Sequence, residues 1–301
     1  ATGRWSTGAR LAGSLGMLLV AVLAIGAAAF IGRDSTPDPG PFYAAPAAFD
    51  PTPGAVLCSE VIDPFVEGAT AYRVLYTSRD LAAAPASVSG IIIVPDDADV
   101  PEEGRPVLAF THGTIGVARS CAPSLLGGAY VEQMWGLEAF VDAGWIIAAP
   151  DDLGLGAEGV HPYLVGDVAA VSTLDAVRAA IDLADGQASS RFAVAGQSQG
   201  GHAAMFTGQR SGVYAPELDL VAVAGLAPAS ELAAFIEAND GTTFGNLLGA
   251  YAVAAWDRVF DDIDAADIVD PAVLPIVERL ADACVATGPE AVSLLTDAEL
   301  L

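Results

Sequence analysis

Short runs of apolar and β-branched residues alternate along the middle of the chain with longer stretches whose apolar positions recur every three or four residues. The short runs predict strands at Tyr72–Thr77, Val88–Val94, Pro106–Thr111, Trp145–Ala149, Arg191–Ala195 and Leu218–Leu226. The last four are almost continuously apolar, the pattern of parallel strands covered by helices on both faces. Helical spacing fills Tyr130–Ala143, Val165–Ala184 and Gln199–Ser211. The order β-β-β-α-β-α-β-α-β predicts an open α/β sheet that begins with antiparallel strands. After Pro228 the strand pattern stops, and Glu231–Ala238, Phe244–Phe260, Pro271–Ala286 and Pro289–Leu301 read as helices.

Leu11–Gly32 carries no charge over 22 residues and is flanked by Arg4 and Arg10 before it and Arg33 after it. As a helix it would span roughly 33 Å, enough to cross a bilayer core, with the arginines favouring an exported remainder. It reads either as a cleaved signal peptide, with small residues at Ala27-Ala28-Ala29, or as an uncleaved signal anchor. The predicted localisation is therefore secreted or cell-envelope, with membrane contact only through this segment. Six prolines between Pro37 and Pro53 then predict an extended linker. The organisation is residues 1–32 leader, 33–54 linker, 55–229 α/β core and 230–301 helical cap region.

Composition narrows the partners. The chain has 301 residues, 38 acidic and 12 basic side chains and a net charge of −26, and every basic residue is arginine. Such a surface repels the phosphate backbone, which argues against nucleic acid. With 53% hydrophobic and 17% charged residues the chain is not a disordered acidic segment. Cys58, Cys121 and Cys284 show no C-x-x-C spacing, and no metal-ligand cluster is apparent. Gly154-x-Gly156-x-x-Gly159 matches a dinucleotide fingerprint by letter only, because His161-Pro162 stands where a helix should start. No cofactor is expected.

The chemistry concentrates at Gly196-Gln197-Ser198-Gln199-Gly200-Gly201-His202. A strand leads into this segment and a helix leads out, so Ser198 falls on a sharp turn that the flanking glycines make room for. Such an elbow lifts the serine hydroxyl above the sheet and points the Gln199 N–H at a developing oxyanion. Upstream, His112-Gly113-Thr114 follows the strand ending at Thr111, and the backbone of Gly113 or Thr114 is placed to donate a second oxyanion contact.

Taken with Cys121-Ala122-Pro123-Ser124, Gly154-Leu155-Gly156, His161-Pro162-Tyr163-Leu164 and Tyr214-Ala215-Pro216-Glu217-Leu218, these motifs resemble the secretory lipase family, the Candida lipase A-like and actinobacterial α/β-hydrolases. The resemblance runs from about Val56 to the region of Cys284. It implies an α/β-hydrolase fold with a helical cap, hydrolysis of carboxylic esters including acylglycerols, and Ser198 as nucleophile. It also implies Gln199 with Gly113 and Thr114 as oxyanion donors, and a Cys121–Cys284 disulfide. Cys58 is left free or paired outside the chain. Leu153 departs from the pattern, where relatives often carry a polar residue. Leu247–Trp256 could line an acyl pocket or simply pack in a core.

A triad needs an acid and a histidine after the serine. The histidines are His112, His161 and His202. His202 sits on the elbow helix and is carried away from the hydroxyl, His112 suits pocket shaping, and His161 lies in a loop. Asp257, Asp261, Asp262, Asp264, Asp267 and Asp270 read as solvated residues. With about six of eight hydrolase strands in view, the acid and base are expected beyond residue 301, and the 301-residue chain by itself is expected to be inactive. The alternatives are a non-catalytic envelope-associated protein using the hydrolase scaffold for binding, and another α/β-hydrolase such as an acyltransferase or peptidase.

Overall fold

The computed structural model describes residues 38–97, 99–127, 134–285 and 295–301. Among these, seven strands form one mixed sheet: β1 Val56–Ile62, β2 Ala69–Arg79, β3 Pro85–Pro95, β4 Arg105–Thr111, β5 Ile146–Pro150, β6 Ala188–Gln197 and β7 Asp219–Leu226. Eight helices accompany them: α1 Pro123–Leu126, α2 Leu137–Asp142, α3 Gly166–Leu183, α4 Gln199–Tyr214, α5 Leu232–Asn239, α6 Thr243–Val259, α7 Ala265–Ile268 and α8 Leu274–Ala281. The spatial order is β1-β2-β3-β5-β4-β6-β7. β1, β2, β3 and β5 pair antiparallel in turn, whereas β5, β4, β6 and β7 run parallel. This is the mixed sheet, beginning with antiparallel strands, that the alternation of strands and helices predicts, and it fits the fold that the family resemblance implies.

The runs in β4, β5 and β6 are apolar because the central strands are covered twice, whereas β7, expected to be covered likewise, lies at the edge of the described sheet with six of its eight residues exposed. Val107, Ala109, Ile146, Ala148, Phe192 and Val194 point to the face packed by Leu174, Val177 and Ala180 of α3. Their neighbours Leu108, Phe110, Ile147 and Ala149 point to the opposite face, against Met134, Val141 and Phe140. Successive strand residues alternate faces, so a strand buried on both sides must be apolar at every position. Each large side chain withdrawn from water this way contributes roughly 1.5–3 kcal/mol.

The sheet has one strand more than the six predicted. β1 escaped the pattern because four of its seven residues are exposed and it pairs with β2 alone. An edge strand of this kind has no buried face to impose alternation, and Cys58-Ser59-Glu60 breaks the apolar run. The described part of the Pro-rich segment, residues 38–54, is not uniformly extended, since it turns through a 3-10 helix at Pro41–Tyr43, and it lies against the fold. Tyr43 is fully buried with its hydroxyl 2.8 Å from Ser124 Oγ, and Thr77 Oγ1 donates to the Asp50 carbonyl at 2.6 Å.

After β7 the described residues are helical. Leu247, Ala250, Tyr251 and Ala254 of α6 pack against Val277, Leu280 and Ala281 of α8, so this stretch spends its apolar face on a core. The helices predicted at Tyr130–Ala143 and Pro289–Leu301 fall partly outside the described residues, as the predicted leader at Leu11–Gly32 does entirely. Among the described residues no helix is long and apolar enough to cross a membrane.

Candidate active site

β6 and α4 meet at Ser198, whose backbone stands at φ 56° and ψ −118°. A serine holds such angles only when its surroundings over-determine them, at a cost of order 1–3 kcal/mol. Three backbone bonds do so here. The Ser198 N–H donates to Leu226 O at 3.0 Å, and its carbonyl accepts from His202 N at 3.0 Å and Ala229 N at 3.2 Å. The glycines on either side are sterically required. A Cβ on Gly196 would lie 2.1 Å from Thr111 Oγ1, and Thr111 Oγ1 itself donates to Gly200 O at 2.7 Å. The half-buried Ser198 side chain makes no capping bond to its own helix, which leaves the hydroxyl available.

Parallel pairing sets β4 beside β6, with Thr111 opposite Gly196, so the loops that follow both strands start side by side. A Cβ on Gly113 would lie 3.6 Å from Gln197 O, which puts the predicted oxyanion loop directly against the elbow. Thr114 is fixed by a 2.7 Å contact between its hydroxyl and that of Tyr163. Gln199 begins α4, and its buried side-chain amide donates through Nε2 to His161 Nε2 at 3.2 Å. The structure thus brings Gly113, Thr114, Ser198 and Gln199 to one edge of the sheet.

The three histidines are held elsewhere. His112 Nδ1 lies 2.7 Å from Gly113 O, and its Nε2 lies 3.1 Å from Asp151 O. His161 Nδ1 donates to Leu153 O at 3.0 Å, and burial pushes its pKa down to about 3. His202 Nδ1 donates to Ala229 O at 2.8 Å, and burial also lowers its pKa. None of them bonds to the Ser198 hydroxyl.

Asp151 and Asp152, both buried just past the C-terminal end of β5, were not singled out by sequence reasoning. Asp151 accepts from Ser89 Oγ at 2.6 Å and from the Ser124 N–H at 2.8 Å, and also bonds Ser124 Oγ. Burial raises its pKa. Asp152 is pushed up to about 6, again by burial, with the nearby His112 opposing the shift. The available signal was positional: two consecutive acids just past a parallel strand, at the edge where α/β sheets hold their ligands. Among the described residues no group of three or more histidine, cysteine or acidic side chains is placed to hold a metal ion.

Cys121 and Cys284 form a disulfide, with Cα atoms 5.2 Å apart. Val285 N also donates to Ile115 O at 2.8 Å, so the helical region is tied to the segment that follows Gly113 and Thr114 by a covalent and a backbone link. Asp257, Asp264 and Asp270 accept backbone N–H groups at local turns.

Comparison with known proteins adds to this geometry. The family described as secretory lipase matches residues 129–288. A probable inactive lipase of Mycobacterium tuberculosis is 27% identical over 244 residues, covering 76% of this chain and 53% of that protein. The secreted triacylglycerol lipase LIP1 of Malassezia furfur is 30% identical over 237 residues, covering 72% of this chain and 46% of that protein. The chain therefore spans about half the length of these relatives. Among solved structures, Candida antarctica lipase A in its closed state superposes with a TM-score of 0.66 at 17% identity, over 83% of this chain and 61% of that one.

Proposed function

The chain belongs to the secretory lipase family, and on that premise we propose that it is the nucleophile-bearing part of an exported serine hydrolase acting on carboxylic esters, lipid esters such as triacylglycerol included. The observation that carries the reading is the strained turn at Ser198 (φ 56°) set between the start of α4 and the Gly113–Thr114 loop. In the proposed reaction the Ser198 oxygen attacks the ester carbonyl while a base accepts its proton. The carbonyl oxygen becomes an oxyanion received by the Gln199 N–H and by Gly113 or Thr114. The C–O bond then breaks, the alcohol departs with a proton, and water hydrolyses the acyl-enzyme. Each oxyanion donor is worth about 3–4 kcal/mol of barrier lowering.

We assign neither acid nor base to residues of this chain. All three imidazoles are bonded to groups other than the Ser198 hydroxyl, which supports a base supplied from outside these 301 residues. The family and its secreted relative support export. A second reading, a hydrolase scaffold that binds without turnover, is favoured by the same commitment of the histidines and by the relative described as a probable inactive lipase.

Prolonged exposure to an alkyl fluorophosphonate separates the two. In a longer form of the chain that supplies the base, mass spectrometry is expected to locate the adduct on Ser198 and to lose it in Ser198→Ala; no adduct there, or an adduct on another serine, favours the binding scaffold. Ester turnover by the 301-residue chain is expected to be near background. Brisk turnover abolished by Ser198→Ala would overturn the external base.

A further inference from the structure

Next to the elbow, Asp152, Leu153, His161, Leu164, Gln199 and His202 are among the residues lining a small cavity with about 10 Å³ open to the centre of a water molecule. That is room for one water. Three of the lining side chains are at least 95% buried, and each has a polar atom without a hydrogen-bond partner: Asp152 Oδ1, Gln199 Oε1 and His202 Nε2. Leaving such an atom unpaired costs about 1–3 kcal/mol, so three around one space point to a shared ligand.

Proton bookkeeping identifies it. His161 gives its Nδ1 proton to Leu153 O, so its Nε2 is the acceptor for the Gln199 amide, and Gln199 must turn its oxygen the other way. Two carbonyls, Ala229 O and Leu164 O, bear on the His202 ring; its single proton goes to Ala229 O from Nδ1 at 2.8 Å, so its Nε2, which has no protein partner, is also an acceptor. With an ionised Asp152 the cavity would hold three acceptors. A water has two protons, and one acceptor would remain bare.

We propose that this cavity binds a single water, which donates to Gln199 Oε1 and His202 Nε2 and accepts from a protonated Asp152, and that this assembly positions Gln199 behind the nucleophile. Burial, with a smaller push from the adjacent Asp151, raises the Asp152 pKa to about 6, while His112, with Nε2 3.7 Å from Oδ2, opposes the shift, so the neutral carboxyl and the assembly it completes predominate below that pH. The other titratable neighbours are His161 and His202 on the cavity wall and the phenol of Tyr76, and burial keeps all three in their neutral forms at neutral pH. The proposal is independent of whether Ser198 forms an acyl-enzyme.

Two measurements on the 301-residue chain test it. High-resolution diffraction is expected to show one density peak within hydrogen-bonding distance of Asp152 Oδ1, Gln199 Oε1 and His202 Nε2. Denaturant titrations compare wild type with Asp152→Asn, whose amide donates to the water without titrating. The ratio of the variant's folding constant to the wild type's is expected to rise roughly a hundredfold between pH 4 and 6.5, as the wild type alone must hold a proton on residue 152. An empty cavity in the density map overturns the water, and a ratio independent of pH overturns the proton. A His202→Phe variant that retains the peak overturns the assigned contacts.

Discussion

Gly196 and Gly200 stand back to back across the elbow: a Cβ built on Gly196 would lie 2.4 Å from the Gly200 carbonyl oxygen, and one on Gly200 would lie 2.1 Å from that of Thr111. Both obstacles are backbone, held by sheet pairing and by the Thr111 hydroxyl, so neither can move aside. Gly200→Ala is therefore expected to destabilise the fold by about 3 kcal/mol or more, at or beyond the upper end of overpacking costs. Gly212 on the same helix meets nothing within 4 Å, and Gly212→Ala should stabilise by about 0.5–1 kcal/mol. Guanidinium denaturation of both variants checks the pair. Equal midpoints would remove the steric account of the motif.

His161 and Asp152 give stability opposite dependences on pH. The pKa of His161 is depressed to about 3 in the folded state, so its contribution is complete above about pH 6.5 and is lost as the pH falls towards 3, by about 4–5 kcal/mol. The pKa of Asp152 is raised to about 6, so its contribution is complete below about pH 4 and is lost as the pH rises to 6. Between pH 4 and 6 the two slopes cancel. His161→Gln should expose the Asp152 slope, with stability relative to wild type falling by about 1.4 kcal/mol per pH unit as pH rises through that window. Urea midpoints measured against pH for both proteins test this, and parallel curves would contradict it.

The central sheet and the elbow were readable from the sequence because burial on both faces writes a continuous apolar run, as in β4 and β5, and because Gly196 and Gly200 occupy positions no side chain can share. β1 was not readable, since an edge strand with exposed Ser59 and Glu60 needs no periodicity. The docking of Tyr43 and the burial of Asp151 and Asp152 were hidden for a different reason. Each depends on partners distant in sequence, such as Ser124 for Tyr43 and Ser89 for Asp151, and no local spacing records them. The Cys121–Cys284 bond followed from family resemblance, and the structure contains it.

That disulfide closes a loop across 163 positions and joins the helical region to the 3-10 turn at Arg119–Cys121, a few residues after the Gly113–Thr114 loop. In the chain-entropy picture a loop of this length stabilises by about 5 kcal/mol. Cys284→Ser should lower the guanidinium midpoint accordingly, and reductant should bring the wild type to the same midpoint. Cys58 is the free cysteine, and burial with the nearby Glu60 raises its pKa. Iodoacetamide without reductant should therefore label one thiol per unfolded chain. Three labelled thiols would contradict the pairing.

β7 ends the sheet order with its outer edge unpaired among the described residues, and Val221, Val223 and Leu226 are each about two-fifths exposed along it. A row of open N–H and C=O groups flanked by valines is a template for pairing with another chain. A lysine at such an edge disfavours pairing, because burying its ammonium against a second strand is costly, while in the monomer the long side chain reaches water. Val221 is the most exposed of the three, at 44%, so its replacement removes little buried surface. Val221→Lys is expected to change stability by no more than about 0.5 kcal/mol and to slow concentration-dependent association. Light scattering at matched concentrations provides the measurement. Equal association in wild type and variant would place the sticky surface elsewhere, and a large fall in stability would mean that Val221 is packed against the fold more tightly than its exposure indicates.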